Sequence, residues 1–366
     1  AGVETGRSVL DSSKCREVYG ELFFLLQRRP VYLAKLVHAT SIGEIDSLLH
    51  VIMFNIFSPW EPVEENLLLS LFRLVLRYEI DASVQFGSLL RSNTPITRCM
   101  TMYTKRALGR VYITETLQDI VSQVVADCRD VGSLEIDPVK VFGELAADHE
   151  ASTGTPYGVA VPADGAAAMD VAAVSAAVAQ RVQRLERHAT RIVDALASSL
   201  PRVPYGVRFV CKAIRDGVRE KYPEVSREQT LSLVGGFFLL RFVNPVLVSP
   251  ASAALLNATP PPPARRALIL LAKMLQTVAN DAVFGAKEAH LVVLAPWLDA
   301  SRPRIMNFLE DLCLVEDLDE RLSLDSFAVL SRRDDADCVR VKANDIFMVH
   351  RMLATRVDEL CEAGDA

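Results

Sequence analysis

The chain has 366 residues, of which 50% are hydrophobic and 23% are charged, a globular composition that excludes wholesale disorder. The formal net charge of -6 argues against general nucleic-acid binding. The seven cysteines form no CxxC pair, which is typical of reduced cytosolic thiols and argues against a zinc site.

The first part of the chain shows helical periodicity. Ser41 and Glu44 have the spacing of a capping box ahead of the apolar run at 45–57. A turn is predicted at 58–62, and the acidic residues that follow it suit the positive end of a helix dipole at the start of a second apolar helix. Because glycine is sparse before residue 130 and no alternating strand pattern occurs, the sequence predicts an all-α fold.

The segment from residue 81 to 97 is less regular and contains Gly87 and Pro95. It predicts a loop, followed by a helix that begins at about Arg98. Further along, residues 148–177 are rich in Ala, Gly, Pro and acids with little aliphatic bulk, and we expect a mobile insertion or linker between two helical halves. The prolines at 259–265 predict a stiff connector between two helices.

Arg91 lies in the irregular segment. Read by composition alone, it is a solvated charge on an exposed loop. However, Ser92, Asn93 and Pro95 can fix a tight loop through local hydrogen bonds and a restricted φ angle. A rigid loop that presents one guanidinium suits the stabilisation of charge on phosphate, because arginine is planar, always charged and multidentate. Both interpretations stay open at this point.

The apolar run Leu231–Val248 contains Arg241, Asn244 and Pro245, a set that a membrane span would not normally carry. We therefore predict a helix that is buried on every side and ends at Asn244-Pro245. A buried unpaired cation is costly, so Arg241 is expected to bind loop carbonyls. These carbonyls either have a purely structural role or belong to the loop that holds Arg91, and the two interpretations are compatible.

A further helix is predicted in the segment RRALILLAKMLQTVAN. Four apolar residues share one face at helical spacing: Leu268, Leu271, Leu275 and Val278. A different stripe carries Ile269, Lys273, Gln276 and Asn280. This stripe is either the solvated side of an amphipathic helix or a partner-binding surface. The second alternative is considered because amides and an exposed apolar residue replace the Glu/Lys mixture that is usual on a solvated face.

Signatures of independent catalysis are absent from the sequence. It has no Walker-type glycine loop, no GxSxG and no HExxH, and its six histidines show no metal-ligand spacing. The remaining alternatives are a protein that acts on or binds another protein and an inert α-helical structural or lipid-associated module.

Three segments, in chain order, resemble motifs of the Ras GTPase-activating domain family. LLRSNTPITRCM resembles the finger-loop pattern FRGN-SLA, with Ser92 in place of the family glycine and Thr94-Pro95-Ile96 in place of Ser-Leu-Ala. FLLRFVNPVLVSP resembles FLRF-x-NPA, and LLAKMLQTVAN resembles KxLQ-x-xAN. Three further segments are similar to sequences of the IQGAP-type branch and its fungal Ras-GAP relatives: LEIDPVKVF, VPYGVRFVCK and GGFFLLRFVNP.

The resemblance implies an elongated all-α domain over residues 1–366, with a central catalytic part at about 65–310 and flanking helices. It implies that Arg91 is an arginine finger, that Asn93 belongs to the catalytic loop and that Arg241 stabilises the finger loop. It also implies a set of residues that face the partner: Leu240, Asn244, Pro245, Lys273, Gln276 and Asn280.

The implied partner is a GTP-loaded Ras-type small GTPase, which would itself hold GTP and Mg²⁺. The chain is therefore expected to need no cofactor or metal of its own and to have no independent catalytic activity. Because animal IQGAP domains lack the finger arginine, the alternative is a silent scaffold that binds Ras- or Rho-family GTPases. We expect a cytoplasmic protein that reaches membranes only through its GTPase. Since no signal segment and no starting methionine are present, we also expect a fragment of a longer protein.

Overall fold

The computed structural model describes residues 12–57, 61–280, 286–318, 320–321 and 341–360. The turn predicted at 58–62 lies largely outside the described residues. The described part of the chain is helical and contains no strand, which confirms the all-α prediction.

The α-helices in the described residues are α1 (Ser13–Arg28), α2 (Pro30–Ala39), α3 (Ile45–Val51), α4 (Pro62–Ala82), α5 (Pro95–Tyr103), α6 (Ala107–Asp130), α7 (Pro138–Thr153), α8 (Gly165–Met169), α9 (Ala172–Ser198), α10 (Tyr205–Lys221), α11 (Arg227–Phe237), α12 (Asn244–Val248), α13 (Pro262–Ala279), α14 (Ala295–Leu312), α15 (Ala343–Ala354) and α16 (Val357–Leu360). Two π-helical stretches, Ile52–Ile56 and Phe238–Val243, and three 3₁₀ stretches, Phe86–Ser88, Leu200–Arg202 and Ala286–Leu294, complete the elements.

The chain divides into two units, one formed by residues 1–111, 203–237 and 312–366 and the other by residues 112–202 and 238–311. In the first unit α4 is the central helix, because α2, α5 and α10 all pack against it. It begins at Pro62 with Glu64 and Glu65 in its first turn, as the sequence predicted. In the second unit α9 has the central position and contacts α7, α8 and α13.

A buried arginine holds the first unit together beside α4. Arg106 donates to the carbonyl oxygens of Met53 and Phe57 and to Glu65 Oε2, the last at 2.8 Å. The hydroxyl of Tyr103 donates to the other oxygen of the Glu65 carboxylate. Because the buried cation is paired with a carboxylate and hydrogen-bonded to two carbonyls, its desolvation cost is offset.

Gly206 on α10 lies against this cluster. A Cβ atom at this position would come within 1.7 Å of the Tyr103 hydroxyl oxygen and 3.0 Å of Glu65 Oε1. The close approach of α10 to Tyr103 therefore requires the absence of a side chain at residue 206.

The apolar helix that contains Arg241 is continuous from Arg227 to Val248. Among the described residues it is the one helix long and apolar enough to cross a membrane, but 67% of its most apolar stretch is buried inside the protein. This burial agrees with the predicted core helix, with Leu240 as an exposed exception.

The prediction that this helix ends at Asn244-Pro245 is wrong. The stretch Phe238–Val243 is π-helical and leads directly into α12, in which Pro245 occupies the first turn. A proline ring clashes with the carbonyl group one turn back in an α-helix. The wider π-helical turn before Pro245 provides room for the ring, so the helix continues to Val248.

Two other predicted boundaries also shift toward a proline. α5 begins at Pro95, not at about Arg98, and α13 begins at Pro262, inside the predicted connector at 259–265. Proline is favoured in the first helical turn because a backbone N–H, which proline lacks, is not needed there and its φ is already helical.

Residues 148–177 contain the end of α7, all of α8 and the start of α9. Their predicted mobility, and the predicted domain bounds, stay predictions.

We expect Gly206→Ala to destabilise the protein by about 1–3 kcal/mol, because the added methyl group overpacks the Tyr103–Glu65 contact. Chemical denaturation with a fluorescence or circular-dichroism readout measures the change. Gly143→Ala on α7 is the matched control, since a Cβ there meets no atom within 4 Å and alanine favours a helix over glycine. Equal stability of Gly206→Ala and the parent would contradict the required close approach.

Candidate functional site

The loop that carries Arg91 has a strained anchor directly before the arginine. Leu89 and Leu90 are both buried, and Leu90, which is only 4% exposed, has a φ angle of 56°. A left-handed backbone is rare for a residue with a branched aliphatic side chain and persists only where its surroundings enforce it. The buried side chain fixes Leu90, and the chain emerges from this turn with Arg91 exposed.

The far side of the loop is fixed by a capping box. Thr94 precedes α5, and its backbone N–H donates to Thr97 Oγ1 at 2.9 Å. The Thr97 hydroxyl also lies within hydrogen-bonding distance of the carbonyl oxygens of Ser92, at 3.2 Å, and Thr94, at 2.9 Å. One buried hydroxyl therefore ties three backbone groups of the loop together.

Asn93 is held by a side chain from α5. Arg98 Nε donates to Asn93 Oδ1 at 2.7 Å, and Arg98 Nη1 donates to Asp46 Oδ2 at 3.2 Å. Because Asp46 is on α3, Arg98 connects the loop to a second helix. The sequence predicted that Ser92, Asn93 and Pro95 fix the loop. In the structure Pro95 begins α5, and the main side-chain bonds come from Thr97 and Arg98.

Arg91 itself points away from these contacts. It is exposed, and within the described part of the chain its guanidinium has no hydrogen bond or ion pair. Its backbone N–H donates to the Ser88 carbonyl at 3.3 Å. The loop thus presents a guanidinium with all its donors available, on a backbone that is bonded on both sides.

In the second unit, the predicted partner-facing residues differ in accessibility. Leu240 is 45% exposed and Pro245 is exposed, whereas Asn244 is buried at 6% exposure. Arg241 is partly buried, and this burial lowers the pKa of its guanidinium from the ordinary value. The predicted role of Arg241 as a stabiliser of the finger loop stays a prediction.

A series of amide hydrogen bonds connects α12 with α13. Asn244 Nδ2 donates to the Ala272 carbonyl at 3.2 Å and to Gln276 Oε1 at 3.1 Å. Gln276 Nε2 in turn donates to Asn280 Oδ1 at 2.9 Å. The buried Asn244 therefore orients the more exposed amides of Gln276 and Asn280.

The two faces of α13 separate as the sequence predicted. The apolar face is buried and comprises Leu268, Leu271, Leu275 and Val278. The other stripe, comprising Ile269, Lys273, Gln276 and Asn280, is partly or fully exposed. Lys273 forms an ion pair with Glu288, so its charge is already neutralised within the chain.

The same helix is anchored near its start by a buried carboxylate. Arg266 donates from Nε and Nη2 to the two oxygens of Glu135, at 2.8 and 3.3 Å, and Lys140 lies 3.7 Å away. Burial by itself raises the pKa of Glu135, but hydrogen bonds from Arg266 and the Asp137 backbone N–H outweigh it, and the pKa lies below the ordinary value. Glu135 thereby positions the first turns of α13.

The sequence interpretation missed Leu90, Thr97, Arg98 and Glu135. The Thr94–Thr97 spacing was a usable signal, because a hydroxyl three residues after an N-cap can complete a capping box. No comparable signal marks Leu90, since its φ angle depends on the packing around it. Among the described residues, no group of three or more His, Cys, Asp or Glu side chains is placed to hold a metal ion.

The family model RasGAP, described as GTPase-activator protein for Ras-like GTPase, matches residues 71–280, more than half of the chain. The chain is 28% identical over 358 residues, 98% of its length, to the Ras GTPase-activating-like protein rgaA of Dictyostelium discoideum, and covers 43% of that protein.

Two further relatives broaden the comparison. The chain is 25% identical over 323 residues, 87% of its length, to the Ras GTPase-activating-like protein IQGAP2 of Mus musculus, and covers 20% of it. It is 28% identical over 241 residues, 66% of its length, to the inhibitory regulator protein IRA1 of Saccharomyces cerevisiae, and covers 6% of it. The chain therefore spans less than half of the length of each of these relatives.

We expect Thr97→Val to cost about 0.5–2 kcal/mol of stability, the range for loss of a helix cap, and to loosen the loop between Ser92 and Arg98. Denaturation measures the first effect and hydrogen exchange of the loop amides the second. The control is Thr101→Val one turn later, whose hydroxyl bonds only to the carbonyl of Thr97 within the same helix. Unchanged exchange of the loop amides in Thr97→Val would contradict the bracing role.

The Glu135–Arg266 pair predicts a pH dependence. Because the pKa of Glu135 is lower in the folded protein than the value of about 4.3 for an unfolded chain, the pair stabilises fully above that value. The contribution is lost as the pH falls through the folded pKa.

We therefore expect the difference in unfolding free energy between the parent and Glu135→Gln, the stability gap, to be constant from about pH 7 to 5 and to shrink below pH 5. Denaturation curves at several pH values measure the gap. A gap as large at pH 3 as at pH 7 would be inconsistent with this linkage, and Glu224→Gln, at an exposed carboxylate, is the control.

Proposed function

The chain belongs to the RasGAP family of GTPase-activator proteins for Ras-like GTPases, and on this basis we propose that it stimulates GTP hydrolysis by a Ras-type small GTPase. In this proposal Arg91 is the arginine finger that enters the nucleotide site of the partner. GTP and Mg²⁺ belong to the partner, and this chain contributes a side chain to a reaction that takes place there. We further propose that it acts in the cytoplasm, at the membrane that carries the GTPase.

The observation that carries the proposal is the state of Arg91. An exposed arginine is unremarkable alone, but this one follows a strained, buried Leu90 and precedes a capping box, and its guanidinium has no intramolecular partner in the described residues. Holding such a loop costs conformational energy, which supports a role that needs a fixed cation.

The chemistry that this cation can perform follows from its charge. During transfer of the γ-phosphoryl group, negative charge develops on the oxygens of the β- and γ-phosphates, and a guanidinium at that point stabilises the transition state more than the ground state. For Ras with its activator, the known case of this mechanism, the finger contributes about 10³–10⁵-fold in rate. Because the loop is bonded before the partner arrives, little ordering entropy remains to be lost on binding.

We propose that the exposed stripe of α13, the exposed residues of α12 and Leu240 in the π-helical stretch before α12 bind the partner. The amides of Gln276 and Asn280 offer donors and acceptors oriented by Asn244, and Leu240 and Pro245 offer apolar contact area. Apolar contact area beside hydrogen-bonding groups is typical of a protein-binding surface.

The second candidate is a scaffold that binds GTP-loaded Ras- or Rho-family GTPases without activating them. The similarity to a protein named IQGAP2 over 87% of the chain favours it. The loop also departs from the family pattern at Ser92 and at Thr94–Ile96, and a shift of about 1 Å at the finger can cost about 10²-fold in rate. Arg91 is the residue that favours the activator over the scaffold.

A single-turnover assay of GTP hydrolysis by GTP-loaded Ras, with the domain in excess, separates the two candidates. We expect the parent to accelerate hydrolysis and Arg91→Ala to lower the accelerated rate by about 10³-fold, with binding changed only a few-fold. Arg16→Ala, at an exposed arginine on α1, is the matched control and should retain the parent rate.

Each outcome of the hydrolysis and binding assays supports a different function for the chain. Equal rates for Arg91→Ala and the parent would show that Arg91 is not the finger. A parent that binds GTP-loaded Ras or a Rho-family GTPase but leaves its hydrolysis unchanged is the silent scaffold. Absence of binding to any member of a panel of GTP-loaded G proteins would leave only the inert helical module.

A further inference from the structure

The loop that carries Arg91 has a second anchor at its start, supplied by α10. Lys221 is the last residue of that helix, and its Nζ donates to the carbonyl oxygens of Ile80, Asp81 and Ser83, the last two at 2.7 Å. An ammonium group has three N–H donors, and here each one has its own carbonyl acceptor. The three acceptors lie at the end of α4 and in its C-cap, where the finger loop begins.

The side chain of Asp81 at the end of α4 pairs with Arg77 one turn earlier, at 3.8 Å, but the last turn itself has no cation for its free carbonyl groups. The last turn of α4 contains Glu79 and Asp81 but no basic residue. The final carbonyl groups of a helix carry partial negative charge and lack intrahelical donors, and acids at that end add to the repulsion. Lys221 supplies the missing charge and donors from a helix more than a hundred residues later in the chain.

Tyr222 extends the contact along the loop. Its hydroxyl lies 2.6 Å from Ser83 Oγ and donates to the Ser83 carbonyl at 3.1 Å. Its ring packs edge-on against Phe86, with 5.9 Å between the ring centres. Phe86 opens the 3₁₀ turn whose last residue, Ser88, accepts the backbone N–H of Arg91. A connected series of contacts therefore runs from α10 to the finger.

We propose that Lys221 and Tyr222 are positioning residues for the arginine finger, a role that rests on the proposed function of Arg91. They hold residues 83–88 so that the strained turn at Leu90 is kept and Arg91 leaves the loop in one direction. Without this anchor the chain before Leu90 is free to relax the strained left-handed turn. The finger then spends less time in its productive orientation, while the surfaces that bind the partner remain intact.

The test compares Lys221→Met with Lys212→Met. Both substitutions keep the aliphatic stem and remove an ammonium group from α10, but Lys212 donates to the Val315 carbonyl and does not contact the finger loop. Two measurements are made on each variant of the whole chain: single-turnover GTP hydrolysis by Ras at saturating and sub-saturating domain concentration, and hydrogen exchange of the amides at 83–91. Tyr222→Phe is the milder second variant, since it keeps the ring and removes only the hydroxyl.

We expect Lys221→Met to lower the saturated rate by about 10- to 100-fold with the affinity for the partner within about twofold, and to raise exchange at 83–91. Tyr222→Phe should change both quantities in the same direction by less, and Lys212→Met should change neither. A loss of affinity with an unchanged saturated rate would overturn the positioning role. So would equal effects of Lys221→Met and Lys212→Met, which indicate general destabilisation.

Failure of the proposed function is recognised separately. If the parent binds GTP-loaded Ras but does not accelerate hydrolysis, the finger assignment fails whatever the variants do. The exchange measurement then decides on the anchor alone: increased exchange at 83–91 in Lys221→Met but not in Lys212→Met supports it, and unchanged exchange in both Lys221→Met and Tyr222→Phe overturns it.

Discussion

The backbone of Leu90 adopts a left-handed conformation while its side chain is buried, and these two facts constrain the rest of the Arg91 loop. The buried side chain prevents the residue from moving outward, and the φ angle forces the chain to turn sharply before the next residue. Neither condition is favourable for an isolated leucine. The conformation persists because the segments on both sides of it are bonded to neighbouring helices.

Contacts from three helices of the first unit hold the Arg91 loop in this conformation. α10 holds the entry through Lys221 and Tyr222, α5 holds the exit through Thr97, and Arg98 connects Asn93 to Asp46 on α3. The contacts use backbone carbonyls as acceptors more often than side chains. They therefore fix the path of the chain largely independently of the side chains at Ser92 and Thr94, where the loop departs from the family pattern.

Much of the fold follows from local signals in the sequence. The acids after Pro62 mark the start of α4, and the apolar spacing of α13 correctly separates its buried face from its exposed stripe. The loop around Arg91 is visible as a break in periodicity. The wrong boundary at Asn244-Pro245 has a physical cause, since a π-helical turn that accommodates a proline has no distinct residue pattern.

The remaining features of the site depend on residues far apart in the chain. Lys221 is separated from Ser83 by well over a hundred positions, and Glu135 from Arg266 by a similar distance. Neither pair has a spacing that periodicity can reveal, because each forms only when segments that are distant in the chain pack together. The acidic last turn of α4 was the one local hint that a distant cation is needed there.

The neutral character of the α13 stripe has a consequence for how quickly a partner can be captured. Gln276 and Asn280 carry no charge, and the charge of Lys273 is balanced by Glu288. Such a surface itself adds little long-range attraction, so in the proposed complex this stripe does little to raise the association rate above the unsteered value of about 10⁵–10⁶ M⁻¹s⁻¹. Discrimination between partners at this stripe then lies in the lifetime of the complex, which the oriented amides and the shape of the surface determine.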